Sequence, residues 1–115
     1  MTATDIKLRR AENMLEVGFS DGSHASLSAE YLRVESPSAE VQGHSPAERQ
    51  LVSGKAAVGI TGVEPVGNYA VRLVFSDGHD TGIYSWDILH RLGREQPQRW
   101  AAYVKRLEEA GLKRN

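Results

Sequence analysis

The 115 residues contain no cysteine. That absence removes disulfides, thiolate metal sites and cysteine nucleophiles together. Long apolar runs are missing too. No stretch approaches the roughly 20 residues of a membrane helix, and the opening MTATDIKLRR lacks the apolar core of a secretory signal. A cytoplasmic protein without membrane association is the expectation. Net charge is small, −1, from 14 Lys and Arg against 15 Asp and Glu, so bulk charge gives no reason to expect a nucleic-acid partner. The charge is unevenly spread. Residues 1–87 hold 7 basic and 12 acidic side chains, and residues 88–115 hold 7 basic and 3 acidic. A solvated helix face is the simplest account of that basic end.

What is present is a pattern of hairpins. From Asn68 to Leu89, NYAVRLVFSDGHDTGIYSWDIL, the apolar residues Val71, Leu73 and Phe75 alternate into Asp77-Gly78. The pattern resumes at Ile83 and changes period at Trp86, Ile88 and Leu89. Alternation running into Asp-Gly predicts a β-hairpin with a type I′ turn and Gly78 at positive φ. Leu15 to Leu32 is a fainter copy. Phe-Ser-Asp-Gly occurs at 19–22 and at 75–78, Leu27 aligns with Ile83, and Tyr31-Leu32 answers Ile88-Leu89 after one inserted residue. Two related hairpin-plus-helix units follow, too few for a repeat array.

The rest of the chain completes one domain, residues 1–115, large enough for a core without staples. Ile6, Leu8 and Arg10 alternate as a first strand, and Ala11-Glu12-Asn13 turns it. Residues 24–28 return from Gly22, with Ser28 placed to cap one or two helical turns. Residues 34–56, with two Pro, two Gly and four Ser, have no sustained period and read as a long loop, a feature that is usually functional or mobile. Val58, Ile60 and Val63 form a fourth strand that Pro65 ends or marks as an edge. Gly67-Asn68 turns into the central hairpin. Ser85 or Trp86 opens a helix that Gly93 is expected to cap. Pro97 suits the first turn of a last helix over 95–111, whose stripe Trp100, Tyr103, Val104 and Leu107 ends at Gly111. The fold class is α+β: an antiparallel sheet from two related β-hairpin units, with short helices and one C-terminal helix.

Catalytic signatures are absent. There is no Walker loop, no Gly-x-Ser-x-Gly, no His-Glu-x-x-His and no dinucleotide fingerprint. An iron(II) oxygenase requires two His and a carboxylate. Asp77, His79 and Asp80 sit together at the hairpin tip, and His44 lies in the long loop. These four are the candidate ligands for one iron or zinc ion, although Asp-Gly is also ordinary turn chemistry. Asp21 and His24 echo the same tip, which favours a structural cause for both. Tyr84 and Trp86 offer a stacking surface, with an anchor between helix and sheet as the alternative for Trp86. Without a basic groove, single-strand nucleic-acid binding has little support.

A longer set of residues carries a resemblance. It comprises Leu27-Ser28-Ala29-Glu30-Tyr31-Leu32-Arg33, then Ser36-Pro37-Ser38-Ala39-Glu40-Val41-Gln42-Gly43-His44, then Val63-Glu64-Pro65-Val66-Gly67-Asn68-Tyr69, and finally Phe75 through Trp86. Over roughly residues 5–93 the chain resembles the gamma-butyrobetaine hydroxylase-like N-terminal domain, in its short stand-alone bacterial form, a domain of unknown function. In the large oxygenases that carry it, the resemblance implies a separate catalytic domain holding iron and 2-oxoglutarate. It also implies a structural zinc on Cys-x-Cys-x-x-Cys after a Leu-Arg pair, plus a later His. Leu32-Arg33 is present here, but the cysteine positions fall on Ser36, Ser38 and Val41, and the later His on His79. Three of four zinc ligands are therefore missing. The same domain occurs fused to Mrp-type P-loop ATPases with iron–sulfur clusters, which implies a helper or docking role.

The resulting expectation is a non-catalytic accessory or protein-interaction module, linked to a metalloenzyme or to iron–sulfur cluster maturation. It has no cofactor, an unidentified protein partner, and neither nucleic acid nor membrane as partner. The alternative is a metal-binding protein using the His79 tip. The expected docking surface is the start of the loop together with the tip: Arg33, Ser36, Ser38, His79 and Asp80, with Arg33 as an anion contact.

Overall fold

A computed structural model describes every residue of the chain except His44, and every side chain except those of His44 and Pro46. Among the described residues, six strands and four α-helices follow in the order β1 (Ala3–Arg9), β2 (Met14–Phe19), β3 (His24–Ser28), α1 (Ala29–Val34), α2 (Ala39–Gln42), β4 (Ile60–Val66), β5 (Ala70–Phe75), β6 (Ile83–Ser85), α3 (Trp86–Arg94) and α4 (Gln96–Glu109). The α+β class is as expected. Each hairpin unit, however, builds its own three-stranded antiparallel sheet, β1-β2-β3 and β4-β5-β6. Among the described residues no helix is long and apolar enough to cross a membrane.

Alternation explains both sheets. Leu15, Val17 and Phe19 of the first, and Val71, Leu73 and Phe75 of the second, lie in one buried cluster with Leu27, Leu32, Tyr84 and Leu89. A smaller cluster of Val34, Tyr103 and Leu107 lies beneath α4, and Trp100 touches both. Pro65 sits inside β4, at the sheet edge, where no ladder needs its missing N–H. The caps work as their residue types suggest. Ser28 accepts the Tyr31 N–H, Ser85 accepts the Ile88 N–H, Pro97 occupies the first turn of α4, and Gly111 follows it at φ +68.

The two tips differ from the type I′ expectation. In each, the glycine N–H bonds the carbonyl three residues back, Gly22 to Phe19 and Gly78 to Phe75, both at 3.0 Å. The strand then closes through Phe19 N to Ser23 O and Phe75 N to His79 O. Only the glycine takes positive φ, +85 at Gly22 and +89 at Gly78, while Asp21 and Asp77 do not. These are three-residue loops, a type I turn followed by a left-handed glycine. Each aspartate also accepts the N–H two residues on, from Ser23 at 2.9 Å and from His79 at 3.1 Å.

The alignment of the two units needs one shift. Val17 pairs with Ala25, whereas its counterpart Leu73 donates its N–H to the Gly82 carbonyl, so the second tip carries one extra residue before Gly82. Leu27 therefore answers Tyr84, not Ile83. Leu27 and Tyr84 are both 0 % exposed, and Ile83 is 46 % exposed. A one-residue slip exchanges the faces of a strand. Beyond the shift, Ser28 answers Ser85 and both serve as N-caps.

Gly93 does not cap α3, which runs on to Arg94. Its role is close packing: a Cβ there would stand 2.7 Å from the Ala25 Cβ of β3. The stretch from 34 to 56 is more ordered than its composition suggests. It contains α2 and a 3-10 turn, Pro46–Glu48. Gln50 N bonds Val41 O, and Val52 O accepts the Tyr103 hydroxyl. Gly54 and Ala56 bond the carbonyls of Lys113 and Arg114. Arg114 in turn holds buried Glu30 through two nitrogens, at 2.6 and 2.9 Å, and covers the Trp100 ring.

Candidate functional site

The start of the long loop and the second tip meet, as the sequence reading expects. Ser36 Oγ lies 2.9 Å from His79 Nε2, and His79 Nδ1 lies 3.0 Å from Glu40 Oε2. A carboxylate only accepts, so Nδ1–H donates to Glu40 and the neutral ring accepts the Ser36 hydroxyl at Nε2. Ser36 Oγ also accepts the Ser38 N–H at 3.2 Å, and Gln42 Nε2 donates to the Ser36 carbonyl at 2.7 Å. Ser38 Oγ caps α2 through Glu40 N and bonds Thr81 Oγ1 at 2.6 Å. Gly82 leaves room for the Ser36 hydroxyl, since a Cβ there would stand 2.7 Å from Ser36 Oγ. Burial, followed by the nearby Arg33 charge, pushes the His79 pKa below its ordinary value against the pull of Glu40.

The order serine, imidazole, carboxylate is that of a nucleophile relay. Sequence spacing did not reveal it, because Glu40 is joined to His79 only by the fold. Access decides against catalysis in this arrangement. Ser36 is 0 % exposed and His79 6 %, so a substrate carbonyl has no path to Oγ while the loop is in place. The chain of bonds is a polar knot fastening the loop to the tip.

Zinc does not fit these positions. Two ligands about 2.0–2.1 Å from a tetrahedral ion stand roughly 3.3 Å apart with the ion between them. Here the serine oxygen and imidazole nitrogen bond each other directly, Ser38 is engaged by Thr81, and Val41 is apolar and buried. The wider candidate set does not converge either. Asp77 Oδ2 takes Arg33 Nε at 2.8 Å and Lys55 Nζ at 2.7 Å, and Asp80 faces Arg72 at 3.4 Å. Burial of Asp77 pushes its pKa upward, but Lys55, the His79 N–H and Arg33 together hold it well below the usual carboxylate range. His44 lies outside the described residues. Among the described residues no three His, Asp or Glu side chains are placed to hold a metal ion.

The expected docking surface is likewise mostly enclosed. Ser36, Ser38 and His79 are buried, and Arg33 is tied to Asp77, so only Asp80 of that set is well exposed. Tyr84 is no stacking platform: it is buried, and its hydroxyl donates to Leu32 O. Trp86 is an anchor, with its indole N–H on Asn68 O at 2.8 Å.

A second constellation lies where the loop faces α3 and α4. Glu35, whose side chain is 4 % exposed, accepts Arg49 Nη2 at 2.8 Å and Arg99 Nη1 at 3.3 Å on one oxygen. Arg99 also binds Glu95. Arg91 and Arg106 line the same groove on either side. In the sequence, Arg91, Arg99 and Arg106 appear only as part of the basic balance of residues 88–115, and nothing local marks Glu35 and Arg49 as their neighbours.

Comparison with known proteins agrees with this architecture. A family model described as gamma-butyrobetaine hydroxylase-like, N-terminal, matches residues 6–90. One NMR solution structure is 44% identical over 99% of this chain and 90% of its own, with a TM-score of 0.86. A second is 49% identical over 98% of this chain and 84% of its own, at 0.84. A crystal structure of a protein with unknown function from Acidithiobacillus ferrooxidans, of the DUF971 family, is 41% identical over 80% of this chain and 92% of its own, at 0.68. Among curated proteins nothing matches. With most of its residues inside the matched span and its fold shared by these relatives, the chain belongs to the gamma-butyrobetaine hydroxylase-like N-terminal family.

Proposed function

We propose that this chain is a non-catalytic interaction module that serves a partner protein, in the setting of a metalloenzyme or of iron–sulfur cluster maturation. The observation that supports the reading is the closed chain Ser36–His79–Glu40. Ser36 and His79, the side chains best suited to chemistry, are buried and engaged with each other, and the exposed Glu40 closes the chain from the surface side. A buried, fully paired polar cluster rigidifies a fold. Here it holds a long segment in one shape, as a docking scaffold requires. The setting comes from the resemblance, and a cytoplasmic location goes with it.

The test has two arms. The purified chain is mixed with iron–sulfur maturation and metalloenzyme candidates from its own source cell, and complexes are measured by co-elution and light scattering. A defined stoichiometric complex is expected. In parallel, hydrolysis of an activated ester is followed for wild type and Ser36→Ala. Hydrolysis lost in the variant would make the relay a working nucleophile and end the non-catalytic reading.

A further inference from the structure

We infer that the groove between the loop, α3 and α4 docks an acidic, extended segment of the partner protein; this rests on the interaction-module reading and names its surface. The groove is an open cleft, about 660 Å³ along α4 and continuing to α3 over the shared residues Glu35, Arg49 and Arg99. Four guanidinium groups face it, from Arg49, Arg91, Arg99 and Arg106, against two carboxylates, Glu35 and Glu95.

The donors are unevenly used. Arg99 is engaged at all three nitrogens, by Glu35 and Glu95. Arg49 gives one nitrogen to Glu35, and its Nε is buried without a partner. The Nε of Arg106 is buried without a partner too, and neither Arg106 nor Arg91 forms an ion pair among the described residues. A guanidinium carries five N–H donors in a planar fork matched to carboxylate geometry. The groove therefore holds a positive surplus, with the guanidinium groups of Arg91 and Arg106 not committed to a carboxylate among the described residues, and a guanidinium pairs well with an incoming carboxylate.

The spread of those donors selects the class of ligand. Arg99 and Arg106 are seven residues apart on one helix, roughly 10 Å at 1.5 Å per residue, and Arg91 lies on another helix. A point anion such as phosphate would meet one or two of them. An extended chain presents same-face carboxylates about every 6–7 Å, a spacing that reaches several along the cleft.

The experiment measures binding of a fluorescein-labelled decaglutamate peptide by anisotropy at low salt, with decaglutamine as the neutral probe. Binding to wild type is expected for decaglutamate only. Arg91→Ala with Arg106→Ala should weaken it at least tenfold, while Lys7→Ala with Lys105→Ala, an equal charge change at exposed sites elsewhere, should weaken it less than threefold. Both variants must keep the wild-type circular dichroism spectrum. Absence of binding, equal weakening in both variants, or displacement by millimolar phosphate at constant ionic strength would overturn the proposal. If a partner complex is found and Arg91→Ala with Arg106→Ala leaves it intact, the groove is wrong and the module reading stands. If no partner forms a complex, the module reading itself fails.

Discussion

Replacing Ser36 by alanine removes one oxygen and nothing else from the junction of loop and tip. The Cβ stays, so no sizeable cavity forms. Two groups lose their partner: His79 Nε2, whose bond is 2.9 Å, and the Ser38 N–H, whose bond is 3.2 Å. Both sit where water does not reach, since His79 and Ser38 are each 6 % exposed. A buried polar group left unsatisfied costs about 1–3 kcal/mol. The longer Ser38 bond belongs at the low end, about 1 kcal/mol, which gives a sum of about 2–4 kcal/mol. The unfolding entropy of a chain this size is about 0.24 kcal/mol per kelvin, at about 2.1 cal/mol/K per residue, so Tm should fall by about 8–17 °C. Urea unfolding followed by circular dichroism at pH 7.5 measures the free energy, and a thermal scan measures the shift. His79→Ala and the double variant complete a cycle. If the two side chains act as a pair, the double loss should be about 1–2 kcal/mol smaller than the sum of the single losses. A Ser36→Ala protein within 0.5 kcal/mol of wild type would refute the reasoning, because the knot would then be ornamental to stability.

Gly22→Ala and Gly78→Ala should each cost about 1 kcal/mol in urea unfolding, from backbone strain alone, because nothing lies within 4 Å of either added Cβ. Gly93→Ala should destabilise despite the better helix propensity of alanine, since the clash with Ala25 outweighs it by about 1–2 kcal/mol, and Ala25→Gly should restore part of the loss in the double variant. For pH, the His79 pKa is depressed in the fold, so between its ordinary value of 6.5 and its folded value the unfolded chain binds a proton that the folded chain refuses. Stability is then fully present above about pH 6.5 and falls as pH drops, by at most about 1.4 kcal/mol per pH unit. His79→Gln should flatten that limb of a Tm-against-pH curve, and an unchanged slope would place the titration elsewhere.

Where information was local, the chain could be read in advance. Alternation at 15–19 and 71–75, the cap serines 28 and 85, Pro97 and Gly111 each act within a few residues of themselves. The misreadings share a physical reason: they depend on what lies across the fold. One extra residue in the second tip exchanged Ile83 and Tyr84 between solvent and core, and only the pairing with β5 displays it. Gly93 looked like a cap because its reason for being glycine is Ala25, 68 positions away. Ser36 and His79 were placed together by the resemblance, while Glu40 and the arginine groove had no local mark. Arg49, Arg91, Arg99 and Arg106 share a surface only because the loop folds back on α3 and α4.

The duplication also separates what is structural at the tips from what was added. Each unit sends its bonds into the helix of the other. Tyr31 of the first donates to Leu92 O of α3, and Tyr84 of the second donates to Leu32 O of α1. Asp21 meets His90 at 3.0 Å, and Asp77 meets Arg33 at 2.8 Å. Once the one-residue shift is applied, Arg33 and His90 occupy equivalent helix positions. The tip aspartates therefore make the same reciprocal tie twice, and the acidity of Asp77 is accounted for by folding, without a metal. Two parts fall outside the pseudo-symmetry: the extra residue before Gly82, and the segment from Glu35 to Ala56 that joins α1 to the second unit. Those two additions are bonded to each other, through Ser36 with His79, Ser38 with Thr81 and Glu40 with His79. One wall of the arginine groove, Glu35 and Arg49, comes from the same segment. A pseudo-symmetric scaffold of two hairpin units supplies the stability. The asymmetric segment is fastened by the knot at one end and by Lys113 and Arg114 at the other, and it carries one wall of the groove proposed above as the docking surface.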